Sequence, residues 1–245
     1  MVSSLAAAVW HGVTAAAGAI RVHVDVPADR NPRGAGFVVV RRTVRPDGRA
    51  WHRHGVRIAS PARAVMRAAL DAWPAEHGRA VVIEAVQRGL CTTAALRHEL
   101  EDGPRRASAG PRRALEEAEA GAWSVPEADL LALLVADRAF PTVWANPISA
   151  AWTAIGCLGR TAGSTTWPLA VPVHSRHYHA DPSDWDRTVM TDGVYAEHGV
   201  VVVAVTPNMI ARQPEAVLER VRRSYGAAAL RPRPAVVARP RPTPR

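Results

Sequence analysis

Gly55-Val-Arg-Ile-Ala-Ser-Pro-Ala-Arg-Ala-Val65 holds both halves of the architecture in one short run. Gly55 to Ile58 reads as a strand. Ser60-Pro61 reads as a helix start, with serine as N-cap and proline at the first helical position, where its missing N–H costs nothing. The helix then carries Ala62, Val65, Met66, Ala69 and Leu70 at helical spacing up to Trp73, and Pro74 closes it. Upstream, Ile20-Arg-Val-His-Val-Asp-Val26 alternates apolar and polar residues with period 2 until Pro27, as a half-buried strand does. Gly36 to Val40 is a further strand, separated from Gly55–Ile58 by the turn signal Pro46-Asp47-Gly48. With Ser3–Trp10 as a short helix stopped near Gly12, residues 20–59 predict a small sheet.

Downstream of the opening helix the spacing predicts helices over Ala80–Gln87, Thr92–Leu100, capped by Thr92 or Thr93, and Pro111–Ala120. Gly103 to Arg113, punctuated by Gly and Pro and carrying Arg105, Arg106, Arg112 and Arg113, reads as a polar joint and a domain boundary. Beyond it, Ser124-Val-Pro-Glu127 opens a helix through Leu130, Leu131, Leu133, Leu134 and Val135. Strands are expected at Ala150–Cys157, Ser164–Trp167 and Leu169–Val173, followed by a helix from Pro182 to about His198. Val200 to Val205 is apolar throughout, as a strand covered on two sides would be, and a last helix spans Pro214–Tyr225. The order helix, three strands, helix, strand, helix predicts a layered α/β domain. The chain as a whole is thus α/β, or α+β overall, with divisions at 1–60, 61–120, 121–225 and 226–245.

The 245 residues, 48% hydrophobic, are enough for one large or two modest cores, which excludes a disordered chain or a peptide scaffold. The net charge is +9, with 31 basic residues that are all Arg. Five of these lie in the acid-free terminus from Leu230 to Arg245 beside five prolines, so the remainder carries nine less five, or +4. That terminus cannot bury a core and is expected to be disordered. The body is only mildly basic, and overall charge alone is no argument for nucleic acid. Cys91 and Cys157 stand far apart, which excludes a disulfide framework and a cysteine zinc site and fits a reducing cytoplasm. Ser3 to Ile20 contains His11 and has no basic residue before it, so it is read neither as a signal peptide nor as a membrane span. The eight Trp are scattered along the chain and read as core or boundary packing.

Gly55 to Val65, followed by Glu84-Ala-Val-Gln-Arg-Gly-Leu-Cys91, resembles the AbiEi-type antitoxin segment of a group of actinobacterial proteins. In that group an endonuclease-like (DUF559-type) domain similar to the very-short-patch-repair nuclease follows. The second half is similar to it too, in Ser124-Val-Pro-Glu-Ala-Asp-Leu-Leu131, Trp167-Pro168, Asp184-Trp-Asp-Arg-Thr188 and Gly199-Val-Val-Val-Val-Ala-Val-Thr-Pro207. The likeness runs from about residue 20 to about residue 223 and rests on order and spacing rather than on any single motif. It implies a truncated antitoxin-like segment over 1–60, with the family's winged helix falling before Met1, and a restriction-endonuclease-like domain over 121–225.

The chemistry so implied is Mg²⁺-dependent phosphodiester hydrolysis, which needs carboxylate oxygens gathered around a hard cation. The family's positions are an acid at the helix start, an Asp three residues before Trp-Pro, and Glu-x-Asp on the next strand. Here they fall on Glu127, Ser164, Pro172 and His174. Only Glu127 is acidic, and a carboxylate in a first helical turn also simply complements the helix dipole. An alcohol, an imide ring and an imidazole cannot supply anionic oxygen to Mg²⁺. The resemblance therefore implies a degenerate nuclease that needs no cofactor and serves a DNA-associated or regulatory role. Arg105, Arg106, Arg112, Arg113 and Arg176 are its candidate phosphate contacts.

Two alternatives stay open. An active endonuclease would combine Glu127 with Asp181 or Asp184 around Mg²⁺. A protein-interaction module would serve as the antitoxin partner of a toxin protein. His174, His177 and His179 also suggest a Zn²⁺-type site, chiefly through His177 and His179, which share a strand face, although a solvated polar loop explains the same residues. Gly159-Arg-Thr-Ala-Gly-Ser164 lacks the lysine and the strand-to-helix context of a phosphate loop. No Gly-x-Ser-x-Gly elbow occurs, and neither cysteine has a neighbouring histidine.

Overall fold

The structure, a computed structural model, describes residues 1–140, 142–146, 148–149, 157–159, 169–174, 182–232, 234 and 238–239. Helices and strands are mixed throughout, and two compact units divide between Val125 and Pro126. The first opens with β1 (Val2–Ser3) and α1 (Ser4–Trp10), then β2 (Val22–Pro27), β3 (Val38–Thr43), β4 (Trp51–Arg53) and β5 (Val56–Ile58). These strands form one five-stranded sheet in the order β3-β2-β1-β5-β4. The pairs β2/β3 and β1/β5 are parallel, and β1/β2 and β4/β5 antiparallel. β1 and β4 leave no periodic signal because each is too short to alternate. Pro46-Asp47-Gly48 makes the expected turn, and Asp47, itself buried, accepts from the backbone N–H and the hydroxyl of Ser60 at 2.8 and 3.0 Å. Ser60 precedes α2 (Pro61–Asp71) as expected, yet its hydroxyl is spent on Asp47 rather than on capping the helix.

α2 lies against α1, and α3 (Ala75–Gln87), α4 (Thr93–Glu101) and α5 (Ala109–Glu119) complete the unit. α3 begins earlier than its apolar spacing suggested because Gly78 interrupts the pattern. A Cβ at Gly78 would meet the Ala69 carbonyl oxygen at 2.8 Å, so the glycine lets α2 and α3 approach closely. Thr92 caps α4 as expected, accepting from Ala95 N at 3.1 Å. Residues 103–113, read as a joint, lie inside this unit. Their second half opens α5, whose Pro111, Ala114, Leu115 and Ala118 are buried and which packs on α3.

Three arginines tie the unit together through ion pairs across long sequence separations. Arg63 Nε donates to Glu99 at 2.5 Å, and Arg79 grips Glu117 through two bonds of 2.8 Å. Arg41 on β3 donates to Asp25 on β2 at 2.9 Å and to both oxygens of Asp71, at the end of α2, at 3.1 and 3.0 Å. A carboxylate also pins the short 3-10 turn at Thr14–Ala16: Glu84 accepts from Thr14 N, Thr14 Oγ1 and Ala15 N at 2.9, 2.6 and 2.6 Å. Burial alone would raise the Glu84 carboxyl, but these bonds and Arg88 outweigh it and hold it below its ordinary 4.5. A depressed carboxyl contributes stability above its unfolded value and loses it as pH falls through the folded one. Glu84→Gln is therefore expected to destabilise the unit by about 1–2 kcal/mol at neutral pH. In urea titrations its deficit against wild type should shrink as pH drops below 4.5; a pH-independent deficit would contradict the assignment.

The second unit contains α6 (Val125–Val135), β6 (Thr142–Trp144), β7 (Ile148–Ser149), β8 (Cys157–Gly159), β9 (Leu169–Ala170), α7 (Pro182–Glu197), β10 (Val201–Val202), α8 (Pro207–Arg212), α9 (Pro214–Ala229) and β11 (Ala238–Arg239). Its main sheet runs β10-β9-β8-β6, with β9/β10 parallel and the other pairs antiparallel. Leu130 and Leu134 of α6, Leu169 and Val171, Val203 and Val205, Ile210, and Val217 and Val221 of α9 form one core. Within Val200–Val205, Val203 and Val205 are fully buried while Val201, Val202 and Ala204 are half-buried, so one face is covered more completely than the other. α8 is too short for its apolar spacing to show in the sequence; Thr206 caps it, accepting from Met209 N at 3.2 Å, and Pro207 opens it.

Of the segment expected to be a disordered tail, 226–229 extend α9 and Ala238–Arg239 pair antiparallel with β7. For the helix the cause is local: Ala227-Ala-Ala229 favour the helix strongly enough to carry it past Gly226, and Ala228 is buried. The strand expected at 150–157 lies outside the described residues except for Cys157, and the one at 164–167 lies wholly outside them. Among the described residues, no helix is long and apolar enough to cross a membrane.

Candidate functional site

Pro172 and His174, two of the positions marked by the resemblance, sit just past β9. Beyond Ala170 the chain stays in register with the continuation of β10: Val203 N donates to Ala170 O at 2.9 Å, Val205 N to Pro172 O at 3.0 Å, and His174 N to Val205 O at 2.8 Å. Val171 enters the core with α6, α8 and α9, so by the period-2 rule Pro172 and His174 share the opposite face. That face belongs to α7. His174 Nε2 lies 2.9 Å from Asp192 Oδ2 of α7, and an ionised carboxylate only accepts, so the imidazole proton sits on Nε2. Pro172 is buried and brings no side-chain donor or acceptor.

Glu127 lies in the first turn of α6, as the sequence places it. Its Oε2 accepts from Asn146 Nδ2 at 2.9 Å. Asn146 follows β6, is fully buried and has φ +42°, a left-handed conformation that Asn tolerates better than most residues. Glu127 thus ties α6 to the turn after β6, and His174 meets Asp192 of α7. Asn146 and Asp192 are partners that no spacing rule could have supplied, since each comes from an element remote in sequence from the group it serves.

Mg²⁺ fits this donor set poorly. Pro172 offers only a carbonyl already engaged by Val205, and His174 presents an N–H directed at Asp192. Among the described residues no group of three or more His, Cys, Asp or Glu is arranged to hold a metal. Ser164, Arg176, His177, His179 and Asp181 lie outside the described residues, and Asp184 falls within α7.

The arginines of 103–113 differ among themselves. Arg105 and Arg106 are exposed in the turn before α5. Arg112 Nε donates weakly to Ser108 Oγ at 3.4 Å, and Arg113 Nε donates to Glu117 at 2.8 Å, the carboxylate that also holds Arg79. Glu101 and Asp102 are exposed immediately before this stretch, which offsets part of its positive field. Burial pushes the Cys91 thiol up to about 12, which disfavours the thiolate a nucleophile would need.

Compared with family models, curated proteins and solved structures, the chain matches none.

Proposed function

We propose that the second unit is a catalytically degenerate, restriction-endonuclease-like domain, joined to an AbiEi-like segment in a cytoplasmic protein with a DNA-associated or regulatory role. The observation that carries this reading is the pair Pro172 and His174 on one face past β9, where relatives of the resembled type would present a Glu and an Asp. The unit keeps a helix acid, a mixed sheet and a crossover helix between parallel strands. Two of the positions that would grip the ion have become an imide ring and a histidine bonded to Asp192. Glu127, already serving Asn146 and with no group of three His, Cys, Asp or Glu arranged for a metal among the described residues, would hold Mg²⁺ too weakly to polarise a phosphate. What remains is a scaffold that meets DNA through arginine, with Arg105 and Arg106 the exposed contacts.

Purified full-length protein is expected to leave supercoiled plasmid, linear duplex and single-stranded DNA intact with either Mg²⁺ or Mn²⁺. It should still retard duplex DNA in a salt-dependent manner that weakens in Arg105→Gln/Arg106→Gln. Metal-dependent nicking that disappears in Glu127→Ala would overturn the degenerate reading and favour an active enzyme. Absence of retardation at low salt would remove the DNA-associated role and leave the toxin-partner alternative.

A further inference from the structure

The tryptophans that look scattered in the sequence are partly assembled in the fold. Trp10 at the end of α1 and Trp51 on β4 stand 5.6 Å apart, centroid to centroid, with planes at 87°. His11 packs edge-on against both, at 5.1 Å from each, and its Nε2 donates to Ala59 O at 2.7 Å, which fixes the ring. Such a group would ordinarily be core. Here Trp10 remains 42% and Trp51 44% exposed, too much for residues whose only task is packing.

The surroundings are cationic. β4 is the edge strand of its sheet, and residues 51–57 are exposed throughout. Trp51 pairs with Ile58, His52 with Arg57, and Arg53 with Val56. By strand alternation Arg53 shares the face of Trp51, two residues along, while His52 and Arg57 occupy the other face. The sequence contains no acid from Met1 to Val24, nor from Gly48 to Leu70, so neither contributing segment brings a carboxylate of its own. This contrasts with residues 103–113, where Glu101 and Asp102 stand alongside.

We propose that this surface of the first unit binds single-stranded nucleic acid, with bases stacking on Trp51 and Trp10 and the phosphate backbone tracking Arg53. Exposed indole beside guanidinium is the combination that sequence-tolerant single-strand binding uses, because every base has a stacking face and every linkage a charge. Peptide addition to the β4 edge would need neither the tryptophan pair nor the guanidinium of Arg53 on the same face. The proposal does not rest on the second unit being a degenerate nuclease.

The test is fluorescence anisotropy of labelled oligo-dT and oligo-rU with the full chain, the two probes separating DNA from RNA. Both are expected to bind with strong salt dependence, and Trp51→Ala and Trp10→Ala should each weaken binding by about tenfold. Trp51→Phe should recover most of the loss, since a ring is retained, and Arg53→Gln should lower the salt slope. Near-ultraviolet circular dichroism and urea unfolding identify any variant that has lost its fold, and Trp51→Phe then decides. Binding of neither probe, or binding unchanged in the Trp51 and Trp10 variants, would overturn the proposal. If binding is instead lost in Arg105→Gln/Arg106→Gln while the tryptophan variants keep it, this surface is excluded and the DNA-associated reading survives.

Discussion

Arg41→Met is expected to lower the stability of the first unit by about 3–5 kcal/mol. Arg41 reaches Asp25 on the neighbouring strand and Asp71 at the end of α2, so one guanidinium joins sheet to helix. The Asp25 side chain is 1% exposed, and with Arg41 removed its charge would remain buried without its hydrogen-bonded counter-ion, leaving only the charges of the Met1 ammonium and Arg67 nearby. Asp71, at 21%, can recover solvation, so the larger share of the cost falls on Asp25. Met replaces most of the arginine stem and keeps packing loss small. Urea denaturation of the full chain, with hydrogen exchange of β2 and β3 amides, reads the effect. Asp25→Asn combined with Arg41→Met should recover part of it, because the stranded charge is then gone. A loss below about 1 kcal/mol would place this network among surface ion pairs that contribute little.

Leu134→Ala is expected to cost about 2–5 kcal/mol in the second unit. Leu134 is fully buried in the cluster that joins α6 to Leu169, Val171, Val203 and Val205 beneath α9. Truncation removes methyl groups and leaves a cavity that helix and sheet can close only in part. Amides of α6 and of the β9/β10 pair should lose protection together. Protection retained in β9 and β10 while α6 loosens would mean that the helix is not part of the same core.

These two sites also mark what the sequence could and could not disclose. Leu130 and Leu134 were legible, since apolar residues at helical spacing after Ser124-Val-Pro-Glu127 have few other readings. Pro61, Thr92 and the alternation of Val22 to Val26 announced their elements through local backbone chemistry. The pairs Arg63–Glu99 and Arg79–Glu117 were not legible, because each joins helices that only the folded chain brings together. Ser60 misled in an instructive way: its position was right and its hydroxyl went elsewhere, to an aspartate in the preceding turn. At the candidate site Glu127 was legible as an acid in the first turn of its helix, whereas Asn146 and Asp192, partners of Glu127 and His174, were not. The clustering of Trp10 with Trp51 was hidden for the same reason: the residues meet only because β4 runs beside β5 and β5 beside β1, which leads into α1.

Divalent-ion affinity tests the central claim most directly. Manganese titrations followed by electron paramagnetic resonance should leave the free-ion spectrum of wild-type protein undiminished through the millimolar range. The variant Ser164→Asp/Pro172→Glu/His174→Asp, which places carboxylates at the positions the resemblance marks, should capture the ion and lose that capture when Glu127→Ala is added. Tight Mn²⁺ binding by the wild-type chain, abolished by Glu127→Ala alone, would contradict the account, and so would a folded triple variant that takes up no ion.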